Sequence, residues 1–137
     1  MVMGGWLVYT VNGVGEFAAA ALFFATPSLF GFAAPLDANA RFLFKSWAVS
    51  IAGFAAMTLA AAREADEAPE KTEAITYGAI LYHASVAIVY ATHWYSGVLL
   101  ADWLFGCSCH CLGFVAFSHH LFARVHPAKA ASKSKRQ

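Results

Sequence analysis

Four long apolar stretches, roughly residues 3–25, 42–62, 74–93 and 97–122, are separated by short polar connections. Each reaches or passes the ~20 residues that an α-helix needs to cross a hydrocarbon core of about 30 Å. Charge is segregated to match. Between Met1 and Leu36 the sole formal charge is Glu16, and from Ala74 to Ala123 it is Asp102. Lipid offers backbone amides no water, so spanning segments of this composition satisfy themselves as helices. The expected fold is therefore all-α: an integral membrane four-helix bundle over residues 1–123, followed by a basic, flexible tail over 124–137. A soluble bundle needs a polar face on each helix. This chain, 60% hydrophobic and 12% charged, has too little polar surface to supply one.

The first stretch reads as a retained span rather than a signal peptide. No Lys or Arg precedes the apolar run in Met1–Trp6, and the run exceeds the about 7–15 residues of a signal's apolar core. Four spans would place both termini on one side together with the 63–73 connection. Arg63, Lys71, Arg124, Lys129, Lys133, Lys135 and Arg136 fall there, against Arg41 and Lys45 opposite. The positive-inside rule then puts both termini in the cytosol, matrix or stroma. A net charge of +1 argues against a nucleic-acid partner, and the expected surroundings are the lipid bilayer and other membrane subunits.

The connections are short. Thr26 to Arg41 holds Pro27 and Pro35 around Phe30 and Phe32, which suits an interfacial segment. The 63–73 connection is charged and broken by Pro69, a solvated turn, and a tight turn is expected around Gly97. Trp6 and Tyr77 suit anchors on the side of the termini, and Trp47, Trp94 and Trp103 on the other. The halves do not repeat one another, so an inverted-repeat transporter is not supported.

Each span carries a stripe of small and polar residues at alternating three- and four-residue spacing, as membrane helices use for close packing. The stripes are Gly5, Tyr9, Asn12, Glu16 and Ala19; Ser46, Ser50, Gly53, Met57 and Ala60; Thr76, Ala79, His83, Val86, Tyr90 and His93; and Gly106, His110, Gly113, Phe117 and His120. They predict a buried polar seam through Tyr9, Asn12, Glu16, Ser46, Ser50 and Tyr90, with His83 and His110 as candidate cofactor-binding residues. A hairpin turning at Gly97 sets His83 opposite about Cys111, within one residue of His110. Glu16 is costly at mid-membrane and needs a partner or a role. Three roles suit the set: hydrogen-bonded glue for the bundle, axial ligation of a haem or chlorophyll by His83 and His110, and a proton relay or small-lipid pocket using Glu16.

No catalytic residue is identified, and no metal-ligand spacing is present. Cys107, Cys109 and Cys111 at i, i+2 and i+4 match neither a zinc motif nor the c-type haem signature. They read as packing residues, with Cys107 and Cys111 beside His110 as the one metal alternative. His119 and His120 suit the C-terminal end of the fourth span near headgroups, and Asp102 suits a cap at its start or a partner for Lys45 or Arg41. Lys133 to Gln137 match the spacing of a dilysine retrieval signal.

The stretch Leu22-Phe23-Phe24-Ala25-Thr26-Pro27-Ser28-Leu29-Phe30-Gly31, followed by Arg41 and a glycine-containing second span, resembles small four-span proteins of the DoxX-like kind. That resemblance implies the four-helix membrane fold and no site residues. The four-span sterol-isomerase and sigma-2-type family is a second comparison and implies an endoplasmic-reticulum setting.

The resulting expectation is a non-catalytic accessory subunit of a larger membrane complex. A haem- or chlorophyll-binding redox or pigment protein, and a small transporter or sterol-binding protein, stand as alternatives. Mitochondrial inner membrane and endoplasmic reticulum are the expected locations, with bacterial inner membrane and thylakoid also compatible with the charge rule.

Overall fold

A computed structural model describes residues 4–26, 36–95 and 103–135 of the chain. Its elements are helical: α1 (Gly5–Ala25), α2 (Ala38–Ala61), the single-turn α3 (Glu64–Glu67), a 3₁₀ turn (Pro69–Thr72), α4 (Glu73–Tyr95) and α5 (Trp103–His120). A π turn (Leu121–Val125) then leads into α6 (His126–Ser134). Three segments, Gly5–Ala25, Ala38–Ala61 and Pro69–His93, are long and apolar enough to cross a membrane. The expected interfacial segment at Pro27 to Pro35, the turn at Gly97 and the Asp102 cap lie outside the described residues.

Among the described residues the four long helices pack as two antiparallel pairs, α1 with α2 and α4 with α5. In the first, Gly13 of α1 meets Thr58 and Leu59 of α2, while Phe23 packs on Phe44 and Trp47 at the other end. A Cβ at Gly13 would lie 2.5 Å from the Leu59 Cγ, so this close approach requires glycine. In the second, α4 and α5 pair along His83, Tyr90 and His110. The hairpins join through a core of Val8, Tyr9, Ala61, Ala62, Ala65, Ala79 and Phe117. Tyr9 is its largest member and is fully buried. Its ring meets Phe117 edge-on at 5.1 Å, and its hydroxyl lies 2.6 Å from the Thr76 Oγ1. Thr76 Oγ1 donates to the Thr72 carbonyl, which makes the Tyr9 hydroxyl the donor to Thr76.

The 63–73 connection is more than a solvated turn. It folds over the start of α1, burying Ala65 and bringing Asp66 to the open backbone amides there. Asp66 Oδ1 accepts from Gly5 N at 2.7 Å and Oδ2 from Trp6 N at 3.1 Å. A carboxylate at a helix N-terminus satisfies orphan donors and complements the helix dipole. Arg124 pairs with the same carboxylate at 2.8 Å, so the starts of α1 and α3 and the π turn meet at one end of the bundle.

The stretch after Arg124 is helical through Ser134. Pro127 falls just past the π turn, and Lys129 pairs with Glu73 at the start of α4. One expectation is corrected, the rotation of α2. Ser46, Ser50, Gly53, Met57 and Ala60 all face outward, and the buried face is Phe44, Ala48, Ile51, Ala55, Thr58 and Ala61. The serines do not need the interior, because Ser46 donates to the Phe42 carbonyl and Ser50 to the Ser46 carbonyl. Alanines give the close approach to α1 instead.

Candidate functional site

The polar stripes of α1, α4 and α5 converge on one cluster. Asn12 and Glu16, one helical turn apart, project from α1 toward Tyr82 and His83 of α4 and His110 of α5. His83 is buried, and the Glu16 and His110 side chains are each 12% exposed.

The hydrogen bonds assign the protons. The Asn12 Oδ1 lies 2.7 Å from the His83 Nε2, and a carbonyl oxygen only accepts, so His83 carries its proton on Nε2. The Nδ1 of a neutral His83 is then a lone pair, and it faces the His110 Nδ1 at 2.9 Å. His110 Nδ1–H is accordingly the donor of that bond. Glu16 Oε1 stands 3.9 Å from the same His110 nitrogen, and Glu16 Oε2 accepts from the Tyr82 hydroxyl at 2.9 Å. Asn12 Nδ2 is buried without a partner among the described residues.

Packing holds this geometry. Phe117 stacks on His83 at 5.7 Å with an interplanar angle of 20°. Phe54 of α2 packs on Tyr82 at 4.6 Å, which makes an aromatic ring, rather than the serines, the α2 contribution. Gly113 lies against the imidazole of His83: a Cβ there would sit 2.7 Å from the ring's Nδ1 and Cε1. Tyr90 is buried, its ring 5.9 Å from that of His110.

The structure thus brings Asn12, Glu16, His83 and His110 together, adds Tyr82, and sets Tyr9 one shell away toward Thr76. It leaves Ser46 and Ser50 outside the seam on the exposed face of α2. Tyr82 was legible only in part, since an i−1 neighbour of a stripe histidine sits off the stripe. His120 is buried within the protein, its ring 5.4 Å from that of Tyr9. Its Nε2 has no partner among the described residues. Cys107 is partly buried, with Sγ 3.9 Å from the Ala87 carbonyl, while Cys109 and Cys111 are exposed.

A metal ion between two imidazoles parts their nitrogens by about 4 Å, twice a metal–imidazole bond of about 2.0–2.1 Å, when the ligands are trans, as across a haem. His83 and His110 meet at 2.9 Å with ring centroids 5.2 Å apart, so the pair does not fit a macrocycle between them. A smaller guest is another matter. One donor atom each from Glu16, His83 and His110 lies within 4.8 Å of the others, a convergence that the fold supplies and no sequence spacing announces.

Comparison with protein-family models, curated proteins and solved structures finds no match for this chain.

Proposed function

We propose that this chain is a non-catalytic, four-span membrane protein that serves as a small subunit of a larger membrane complex. The observation that carries this reading is the outward face of α2. Ser46, Ser50, Gly53, Met57 and Ala60 form one exposed stripe, and nothing lies within 4 Å of a Cβ at Gly53. Membrane helices associate through such small and hydroxylated faces, where backbones approach closely without a hydrophobic driving force. Among the described residues the stripe stays exposed, so the fitting occupant is a neighbouring transmembrane helix. The inner polar cluster then serves as the fastening that holds the two hairpins in register.

The meeting of Gly5, Asp66 and Arg124 at one end supports a four-span path, with 97–122 as the fourth span and both chain ends on one side. Seven of the nine Lys and Arg residues fall on that side, which favours the cytosol, matrix or stroma for it. An organelle membrane, mitochondrial inner or endoplasmic reticulum, is the setting we favour.

Native electrophoresis in mild detergent tests the reading. The protein is expected to migrate with other chains, and Gly53→Leu to release it. Migration of the wild-type protein as a bare monomer with nothing co-migrating would overturn it.

A further inference from the structure

We propose that Glu16, His83 and His110 form an intramembrane site for one divalent transition-metal ion of the zinc class. The proposal does not rest on the subunit reading, since it concerns the isolated chain.

Two imidazoles and a carboxylate are a donor set that first-row divalent ions accept, with three protein ligands leaving room for water or another small donor. Here the three come from residues far apart in sequence, on α1, α4 and α5, and their donor atoms lie within 4.8 Å of one another.

The surroundings are those of oriented ligands. Metal-binding histidines commonly pass their other N–H to a fixed acceptor, which sets the tautomer and turns the lone pair toward the ion. Asn12 Oδ1 does this for His83, taking Nε2–H at 2.7 Å and leaving Nδ1 as the inward donor. Tyr82 does the same for Glu16, holding Oε2 at 2.9 Å while Oε1 is the oxygen near His110. Phe117 stacks on the His83 ring and Gly113 lies against it, so α5 limits how that ring can turn.

Charge points the same way. The carboxylates of Asp66 and Glu73 at the end of the bundle are met by Arg124 and Lys129, whereas Glu16 meets an imidazole, His110, at 3.9 Å. A bound dication would stabilise the ionised form of Glu16, for which no Lys or Arg ion pair is found among the described residues.

The change on binding is small. At bonds of about 2.0–2.1 Å and tetrahedral angles, two ligating nitrogens stand about 3.3 Å apart. The histidine nitrogens at 2.9 Å therefore open by a few tenths of an ångström, and the Glu16 side chain swings inward. The ion takes the place of the proton between the two Nδ1 atoms. That proton moves to His110 Nε2, and a protonated Glu16 releases its own to solvent. The cysteines stay outside: Cys109 and Cys111 are exposed, and Cys107 faces the Ala87 carbonyl.

The test uses the full chain purified in mild detergent, stripped with chelator, loaded with Zn²⁺ or Co²⁺ and passed over a desalting column. Metal per chain, the visible d–d absorption of Co²⁺ and the Zn²⁺-dependent rise in Tm are read together. About one ion per chain is expected, with nitrogen- and oxygen-type Co²⁺ bands. Glu16→Gln, which keeps the acceptor for Tyr82, and His110→Ala should each weaken binding at least tenfold. Asn12→Leu, acting through His83, should weaken it by about 10–100-fold. A Cys107→Ser/Cys109→Ser/Cys111→Ser triple variant should bind as wild type. Unfolding of His110→Ala is controlled by Glu16→Gln, whose metal-free Tm shows whether it folds. Wild-type protein that retains no ion and gains no Tm overturns the proposal, as does binding left unchanged by Glu16→Gln or lost with the cysteines.

Discussion

His83 and His110 face each other Nδ1 to Nδ1 at 2.9 Å across the α4–α5 interface, with Asn12 behind the first and Glu16 beside the second. Two histidines 27 residues apart thereby tie the second hairpin to itself and, through α1, to the first. In a membrane such side-chain bonds average about 0.6 kcal/mol and reach about 1.7 kcal/mol, because unfolded helices also find partners in lipid.

A double-mutant cycle on this pair should therefore give a coupling of about 0.6–1.7 kcal/mol in steric-trap or detergent unfolding. The single variants His83→Leu and His110→Leu should each destabilise by more than the pair's coupling, since each strands a buried partner. Independent, additive losses would show that the pair contributes nothing as a pair.

Gly113→Ala should destabilise the bundle by about 1–3 kcal/mol, because the new Cβ meets the His83 ring at 2.7 Å and that ring is pinned by Phe117. Gly78→Ala is the control, since a Cβ there meets nothing within 4 Å, and should be neutral or mildly stabilising. Thermal unfolding of the two variants side by side checks this, and equal effects would contradict the packing described.

Much of this was legible in the residues. The stripes on α1, α4 and α5 were readable because one polar, buried group on each, Glu16, His83 or His110, marks the inward face. Hairpin arithmetic from an expected turn at Gly97 set His83 and His110 at a common depth, but their contact depends on helix rotation, which that arithmetic does not give. On α2 polarity misled. Ser46 and Ser50 satisfy themselves on their own helix, so a hydroxyl there carries no information about which side is buried, while Ala48 and Ala55, which do pack inward, look like any other alanine. Asp66 was illegible for a different reason. It reaches the amides of Gly5 and Trp6 from 60 residues away, and no local pattern encodes that distance.

Asp66→Ala should cost about 0.5–2 kcal/mol, the usual worth of a helix N-cap. Asp66→Asn, which keeps an acceptor but loses the charge facing Arg124, should fall between it and wild type. The ordering is checked by unfolding at low and high salt, with the Asp66→Asn deficit shrinking as salt rises because the Asp66 and Arg124 side chains are partly exposed.

Tyr9→Phe keeps the ring against Phe117 and His120 but removes the donor to Thr76. A loss of about 1 kcal/mol is expected, because Thr76 still bonds to the Thr72 carbonyl and is not left unpaired. Tyr9→Ala, which empties the core where the hairpins join, should cost several times more. The two are compared by Tm in the same detergent.

The outward stripe of α2 is the part of the account with the widest consequence, and a crosslinking scan reaches it directly. A photo-crosslinking residue placed in native membranes at Ser50 or Gly53 should give one discrete adduct with a neighbouring membrane protein. The same probe at Leu81 or Ile88, apolar and exposed on α4, should give none. Adducts equally abundant at all four positions, or absent from Ser50 and Gly53, would contradict the claim that this face receives a partner helix.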